Sequence, residues 1–441
     1  MARFQAPRGT RDLLPAQMAA WQRLRALAEG LATRYGYQPI ETPLFEDSAV
    51  FERAIGAATD VVEKELFRIA AAGETRDGDV RWALRPEATA GIVRAFVEHG
   101  MHTLPQPVRL TTFGPMFRYD RPQAGRYRQF WQWNVEAIGD QGPAIDAEVI
   151  ELGLAFLRDA GVAQVEVQLN SIGDAACRPA YIERLTEYLR GVEDRLPPLE
   201  RQRLQTNPLR VLDSKDPVLA PILADAPLIA DHLCAECAAH YAGLRGHLEA
   251  LSVPIRPAPQ IVRGLDYYTR TAFEYFVPGR EGQQQALGGG GRYDGLAELL
   301  GGRPTPGVGL AIGIDRVAAV IEEAVPTAAS RPVAVVVGAD AAATGDRLRL
   351  ATDLRRAGIA AGADLATRKL ARQLDGAARL GAHFAVVVGD ELADGQVQLR
   401  DLEAGTQRLV NVVDLARELQ RAQASHRHGQ AEQRGARADS R

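Results

Sequence analysis

Apolar residues recur at helical spacing from Ala16 to Tyr35, where Met18, Trp21, Leu24, Leu27 and Leu31 share one face and Gly36 follows as a stop. That pattern predicts an amphipathic helix at the start of the chain. Pro39-Ile40-Glu41-Thr42-Pro43-Leu44-Phe45-Glu46 reads as a short strand whose ends are limited by proline. Arg109 to Phe113, the segment running into Arg118, and Phe130 to Ala137 read as strands around a long basic loop. Val165 to Asn170 alternates apolar and polar positions, as an antiparallel strand with one covered face does. Between about Ala175 and Pro257 the spacing turns helical and is broken by Pro197-Pro198, Pro208, Pro217, Pro221 and Pro227, which predicts an inserted module of helices. After Pro326 the pattern shifts again. Pro332 to Gly338 and Phe384 to Gly389 are continuous apolar runs, while Leu348 to Ala357 and Leu370 to Leu380 have helical spacing. Strands alternating with helices predict a small α/β domain around a central sheet. From about Ala422 no apolar periodicity remains, which predicts a disordered tail.

The 441 residues suffice for two or three domains, because single cores stop growing at about 250 to 300 residues. A hydrophobic fraction of 46% with 24% charged residues is that of a soluble globular protein, and no apolar run reaches the roughly 18 residues of a membrane span. Met1 to Arg8 lacks an apolar signal segment, so the cytoplasm is the expected compartment. Cys177, Cys234 and Cys237 are too few for a disulfide framework. Cys234 and Cys237 have metal-like spacing and His240 offers a third ligand, but no fourth stands nearby, so they read as ordinary thiols and no zinc is predicted. A net charge of −4 argues against nonspecific nucleic-acid binding over the whole surface, although Arg118, Arg121, Arg126 and Arg128 concentrate positive charge locally. By itself that cluster has a solvated loop as its alternative.

Candidate chemistry centres on Arg263-Gly264-Leu265-Asp266-Tyr267-Tyr268, which packs a permanent cation, a turn glycine, a carboxylate and two phenols into six residues. Such a run suits a strand end opening into a polar pocket, and a surface hairpin with an ion pair is the alternative. Neither a G-x-x-x-x-G-K-[ST] loop nor a strand-flanked G-x-G-x-x-G is present, so a nucleotide would be held without those devices.

The hexapeptide stands in company. Leu84 to Thr89, Phe117 to Pro122, Gly125 to Phe130 with Gln132 and Glu136, Gly288 to Gly295, and Gly307 to Arg316 follow in an order that resembles the class II aminoacyl-tRNA synthetases. The Arg-Gly-Leu-Asp-Tyr-Tyr and Gly-Gly-Arg-Tyr-Asp-Gly segments are similar to signatures of the histidyl-tRNA synthetase family, and the resemblance runs from Arg8-Gly9-Thr10-Arg11-Asp12 to about Leu419. It implies an α+β catalytic domain on a mixed, mainly antiparallel sheet over residues 1–325. A helical insertion lies at about 175–257, and an anticodon-binding α/β domain over 331–421 precedes the tail at 422–441. It also implies ATP-dependent formation of histidyl-adenylate, transfer to tRNA(His), Mg²⁺ entering with ATP, and a homodimer built around Pro43.

In that resemblance Arg118 and Arg263 are the catalytic cations at the α-phosphate, and Arg316 lies beside the γ-phosphate. Glu87, Ala88 and Thr89 bind histidine, Glu87 and Thr89 at its amino group with Gln132 beside them. Glu136 and Tyr268 hold its imidazole, with Arg126 and Tyr267 in the same pocket. Arg126, Gln132 and Glu136 also belong to the implied ATP set with Arg118, Arg263 and Arg316. The glycines 288 to 291 are expected to let backbone approach the ligand. The sequence departs from the family pattern at Ala88, where glycine is common, and at Asp120 and Asp315, where glutamate is common, which puts the ATP and Mg²⁺ geometry in question. A paralogous class competes: the histidine-binding regulatory subunit of ATP phosphoribosyltransferase shares the fold, lacks the C-terminal domain and degrades the arginines retained here.

Overall fold

The computed structural model describes residues 4–56, 59, 61–70, 81–120, 126–212, 214, 216–261, 267–279, 286–322, 332–338, 344–366 and 368–422. It divides into two compact units, Met1–Thr327 and Ala328–Arg441. The expected helix at the N-terminus spans Pro15–Arg34. Ala20, Ala28 and Ala32 are buried beside Trp21, Leu24 and Leu31, while Met18 and Leu27 are only partly covered.

In chain order the strands of the first unit are β1 (Gln38–Pro39), β2 (Phe45–Asp47), β3 (Arg68–Ile69), β4 (Trp82–Leu84), β5 (Val108–Phe117) and β6 (Gln129–Ile138). They continue as β7 (Glu166–Ser171), β8 (Ile255–Pro257), β9 (Thr269–Phe276), β10 (Ala286–Arg292) and β11 (Gly307–Gly313). A large sheet has the order β1-β5-β6-β11-β10-β9-β7-β8, and a small one joins β2, β4 and β3. In the large sheet only the outer pairs, β1 with β5 and β7 with β8, are parallel; the strands between them pair antiparallel. Helix Pro143–Ala160 covers one face, where Val149, Leu154 and Phe156 share a core with Trp133, Val135, Phe273 and Leu310. Because side chains alternate along a strand, Gln132, Asn134 and Glu136 of β6 face the other side.

The strand expected over Pro39–Glu46 is instead two short ones, β1 and β2, with residues 40–44 outside both. Pro43 has no N–H for a ladder. The carbonyl and hydroxyl of Thr42 accept from buried Arg85 Nη1 at 2.9 and 3.2 Å, so at its centre this segment is held by a side chain, while Ile40 N donates to the Thr111 carbonyl of β5 and the Leu44 carbonyl accepts from Arg85 N at its ends. The insertion is helical: Arg178–Arg190, Pro198–Thr206, Leu209–Leu212, Ala220–Ala224 and Ala235–Ala250.

The second unit has its own sheet, made of β12 (Ala334–Gly338), β13 (Ala361–Ala363), β14 (Phe384–Val388), β15 (Gln396–Asp401) and β16 (Gln407–Asn411), in the order β13-β12-β14-β15-β16. Its first three strands are parallel, with helices Thr344–Arg356 and Leu370–Arg379 in the connections. The antiparallel β15–β16 hairpin was not anticipated, because its outer residues Gln407, Arg408 and Leu409 are exposed and leave no apolar run. A helix over 412–422 follows. The expected tail beyond it lies outside the described residues.

Candidate active site

Over the polar face of β6, β11 and β10 lies a cleft of ≈ 700 Å³. Its walls carry Arg118, Arg126, Arg178, Arg203, Arg210 and Arg316 against Glu65, Glu87, Asp120, Glu274 and Asp315. An arginine-rich cleft with low-dielectric walls draws in an anion of phosphate type. Arg203 and Arg210 come from the insertion, which therefore closes one side of the cleft.

At one end two buried carboxylates meet three tyrosines. Glu87 accepts from the backbone amides of Thr89 (2.7 Å) and Ala90 (2.9 Å), the first turn of helix Thr89–Glu98, and from the Tyr267 hydroxyl at 3.5 Å. Burial pushes its carboxyl above the ordinary range, while the amide donors and Arg118 pull the other way. Glu136 accepts from the hydroxyls of Thr89 (2.7 Å) and Tyr293 (2.6 Å). Burial raises its pKa to about 8, opposed by those two donors and reinforced by the charge of Glu87. Tyr267 packs against Tyr268 with ring centroids 4.7 Å apart and meets Tyr293 edge-on at 6.0 Å.

Glu87, Thr89, Arg118, Arg126, Gln132, Tyr267, Tyr268 and Arg316 thus share one cleft. Ala88 is buried behind it with φ −98° and ψ −28°, a right-handed conformation that asks for no glycine. Glu136 does not line the cleft wall. It is fully buried beneath Thr89 and Tyr293, so any ligand reaches it only through those hydroxyls. Arg263, with Gly264 to Asp266, lies outside the described residues.

The cations are positioned by backbone and by one another. Arg118 Nε donates to the Pro86 carbonyl at 2.9 Å, and its guanidinium sits 5.5 Å over the Phe130 ring. Arg126 pairs with Asp120 at 2.6 Å. Arg316 Nη1 donates to the Ala286 carbonyl at 2.6 Å. Asp315 is engaged on both oxygens, by Arg11 at 2.8 Å and by the Trp131 amide at 2.7 Å. It anchors the N-terminal segment to β6, so its shortened reach matters for that anchor first. Arg11 also lies 4.2 Å over the Tyr127 ring, and Arg128 N donates to the Gly9 carbonyl.

The glycine run is a strand of the large sheet, neither a loop nor uniformly a ligand cradle. Gly288 and Gly289 line the cleft, but Gly290 and Gly291 make room for protein. A Cβ on Gly291 would meet the Thr271 carbonyl oxygen of β9 at 2.4 Å and the Tyr268 ring at 2.7 Å. Gly291→Ala is therefore expected to strain the β9–β10 pairing as well as displace Tyr268, costing about 1 to 3 kcal/mol of stability and raising the KM for histidine; thermal unfolding beside steady-state kinetics checks it. Arg292 turns away from the cleft into a buried pair with Asp146 at 3.1 Å, and His240 Nε2 lies 2.9 Å from the same carboxylate. His240 is accordingly no partner of the Cys-x-x-Cys. Cys177 and Asp174 are: Asp174, Cys177, Cys234 and Cys237 bring their ligand atoms within 4.8 Å of one another.

Asn134 and Tyr293 were not singled out from the sequence as ligand-facing residues. Asn134 lines the cleft fully buried, and neither its Oδ1 nor its Nδ2 has a hydrogen-bond partner among the described residues; Gln132 Oε1 is likewise unpartnered. Such orphaned groups mark a ligand position. The polar–apolar alternation of Gln132-Trp133-Asn134-Val135-Glu136 is the signal that places Asn134 between two predicted site residues.

A central antiparallel sheet without a phosphate-binding loop, carrying arginines, glutamates and tyrosines over its polar face, defines a class II aminoacyl-tRNA synthetase catalytic unit. A family model described as histidyl-tRNA synthetase matches residues 9–317, and one described as anticodon binding domain matches residues 332–422. The chain is 44% identical over 421 residues to a histidine–tRNA ligase of Desulforudis audaxviator, covering 94% of this chain and 98% of that one. It is 45% identical over 411 residues to one of Anaeromyxobacter dehalogenans, covering 93% and 97%. The apo crystal structure of S. aureus histidyl-tRNA synthetase superposes with a TM-score of 0.78 at 34% identity, over 95% of this chain and 100% of that one. The chain belongs to the histidyl-tRNA synthetase family.

Proposed function

We propose that the chain joins L-histidine to tRNA(His) in two steps, as a histidine–tRNA ligase does. The histidine carboxylate attacks the α-phosphate of ATP, pyrophosphate leaves, and a 3′-terminal ribose hydroxyl of the tRNA then takes the histidyl group while AMP departs. The observation that carries this reading is the shared cleft, where a carboxylate–tyrosine end sized for a small cationic amino acid adjoins an arginine-lined end sized for a nucleotide. Glu87 and Gln132 suit the ammonium. Tyr268 suits one imidazole nitrogen, and Glu136 suits the other if the Thr89 or Tyr293 hydroxyl turns aside. Arg118, with Arg263 beyond the described residues, neutralises charge developing at the α-phosphate, and Arg316 meets the distal phosphates. Mg²⁺ would enter with ATP and would neutralise phosphate charge there; the cleft's hard oxygen donors Glu65, Asp120 and Glu274 fit that ion and would hold it.

The unit from 332 onward, matched to an anticodon-binding domain, is proposed to hold the far end of the tRNA. It also weighs against the regulatory paralogue, which lacks that part. Exposed Leu44, Phe45 and Trp82, with Phe45 and Trp82 stacked edge-on at 5.7 Å, support a homodimer through the Pro43 segment. A cytoplasmic setting follows from the tRNA partner; among the described residues no single helix is long and apolar enough to cross a membrane. Charging of tRNA(His) transcript with labelled histidine tests the function. Histidylation that depends on ATP is expected, and histidine binding without charging would establish the regulatory reading.

Glu136→Gln is expected to raise the KM for histidine roughly 10- to 100-fold and to leave the KM for ATP near its original value. Equal changes in both would remove Glu136 from the amino-acid pocket. The same variant has a stability signature. Glu136 keeps its proton up to about pH 8 in the fold, against an ordinary value of 4.5, so the folded state holds more protons in that window and stability falls as pH rises across it. Glu136→Gln should flatten this part of the profile, which thermal unfolding over the same pH range reads directly.

A further inference from the structure

Away from the cleft, the turn after β7 meets the start of helix Ala235–Ala250 in a cluster that the catalytic reading does not use. Four potential ligand atoms, from Asp174, Cys177, Cys234 and Cys237, lie within 4.8 Å of one another. A tetrahedral site with Zn–S bonds of about 2.3 Å has ligand–ligand edges of about 3.8 Å, so small side-chain rotations close the set around one ion. Cys177 and Cys237 are buried, while Asp174 and Cys234 are partly covered.

Cys177 stands at the N-cap of helix Arg178–Arg190 and Cys234 at the N-cap of helix Ala235–Ala250, so two helix N-termini point partial positive charge at the sulfurs. Three thiolates and one carboxylate around a divalent cation leave a net charge of −2, and Arg270 is placed to offset it. Its Nε and Nη2 donate to Asp174 Oδ2 at 3.2 and 3.1 Å, while Oδ1 accepts from the Ala176 amide at 3.0 Å and lies on the sulfur side, 3.8 Å from Cys177 Sγ. Arg270 adopts φ +52° to do so, a conformation that a non-glycine residue holds only when its surroundings fix it. Gly173, at φ +62°, leaves space that a Cβ would fill 2.7 Å from Cys177 Sγ. A disulfide would use two of the three sulfurs and give Asp174 no role.

We propose that Asp174, Cys177, Cys234 and Cys237 form a structural zinc site, with Arg270 as the outer partner that orients Asp174. The ion would clip the turn after β7 to the last helix of the insertion. Its effect would reach the cleft through Arg178, next to Cys177, whose guanidinium donates to the carbonyls of Ile172 (3.1 Å), Gly173 (3.0 Å) and Tyr268 (2.7 Å).

The test needs no activity. Full-length protein purified under reducing conditions, stripped with chelator and reloaded, should take up zinc in a 1:1 ratio to chain and protect its three thiols from alkylation. Cobalt in place of zinc should give sulfur-to-metal charge transfer and the intense visible bands of a tetrahedral site. Cys234→Ser should abolish both signals, Asp174→Cys should keep them with tighter binding, and Arg270→Ala should weaken affinity roughly 10- to 100-fold. If the serine variant fails to fold, the cobalt spectrum and thiol protection of the unsubstituted chain still decide. Three thiols that stay reactive with zinc present, cobalt spectra without thiolate bands, or a disulfide within the cluster under those conditions would each overturn the assignment.

Discussion

Arg118→Ala is expected to cut histidine-dependent exchange of pyrophosphate into ATP by roughly 10²- to 10³-fold, the usual cost of removing one preorganised donor from a site of developing charge. Histidine affinity should stay close to its original value. The physical reason is that negative charge builds at the α-phosphorus only as the carboxylate attacks, so a cation fixed there acts mainly on the transition state. Arg118 is fixed: the Pro86 carbonyl holds its Nε and the Phe130 ring lies under its guanidinium. Arg118→Lys should recover part of the loss, because it restores the charge but not the planar fork. Calorimetric titration with histidine beside the exchange assay separates the roles. A parallel loss of histidine binding would make Arg118 a prop for Glu87, one residue beyond Pro86.

The second large effect comes from ending the chain after Thr327. Every described residue lining the cleft lies before that point, so the shortened protein should retain exchange near the full-length level. Charging at low tRNA concentration should fall by roughly 10²-fold or more, since a second tethered contact multiplies affinity without adding anything at the reacting end. High tRNA should recover much of the rate. The full-length chain should also show the steeper salt dependence, because it neutralises more phosphates. Charging by the fragment that stays unchanged at low tRNA would remove the tRNA-binding role from the second unit.

The parts of this site that were legible in the sequence are those whose chemistry is local. Glu87 and Thr89 stand two apart at a helix start, Tyr267 and Tyr268 are adjacent, and the buried strands Ala334–Gly338 and Phe384–Val388 declare themselves as apolar runs. What stayed hidden depends on partners distant in the chain. Arg11 and Asp315 are 304 residues apart, and Arg292 and Asp146 are 146 apart, so nothing local reveals that the first pair anchors the N-terminal segment or that the second turns Arg292 away from the cleft. The Cys-x-x-Cys pair was similarly incomplete until the fold brought Asp174 and Cys177 to it across the helices of the insertion. Pro39 to Glu46 misled for a related reason: the side chain of Arg85 satisfies Thr42 where a strand partner was expected. The glycines of β10 could have been assigned only with knowledge of what packs on them, and for Gly291 that is the Thr271 carbonyl together with Tyr268.

The central claim is that one cleft binds histidine at its carboxylate–tyrosine end and drives the attack on ATP at its arginine end. Isotope exchange between pyrophosphate and ATP by the purified full-length chain, with each standard amino acid added in turn and no tRNA present, tests that claim most directly. Exchange that appears with histidine alone is the predicted result. A folded chain that binds histidine but supports no exchange, or exchange driven equally by another amino acid, would contradict it.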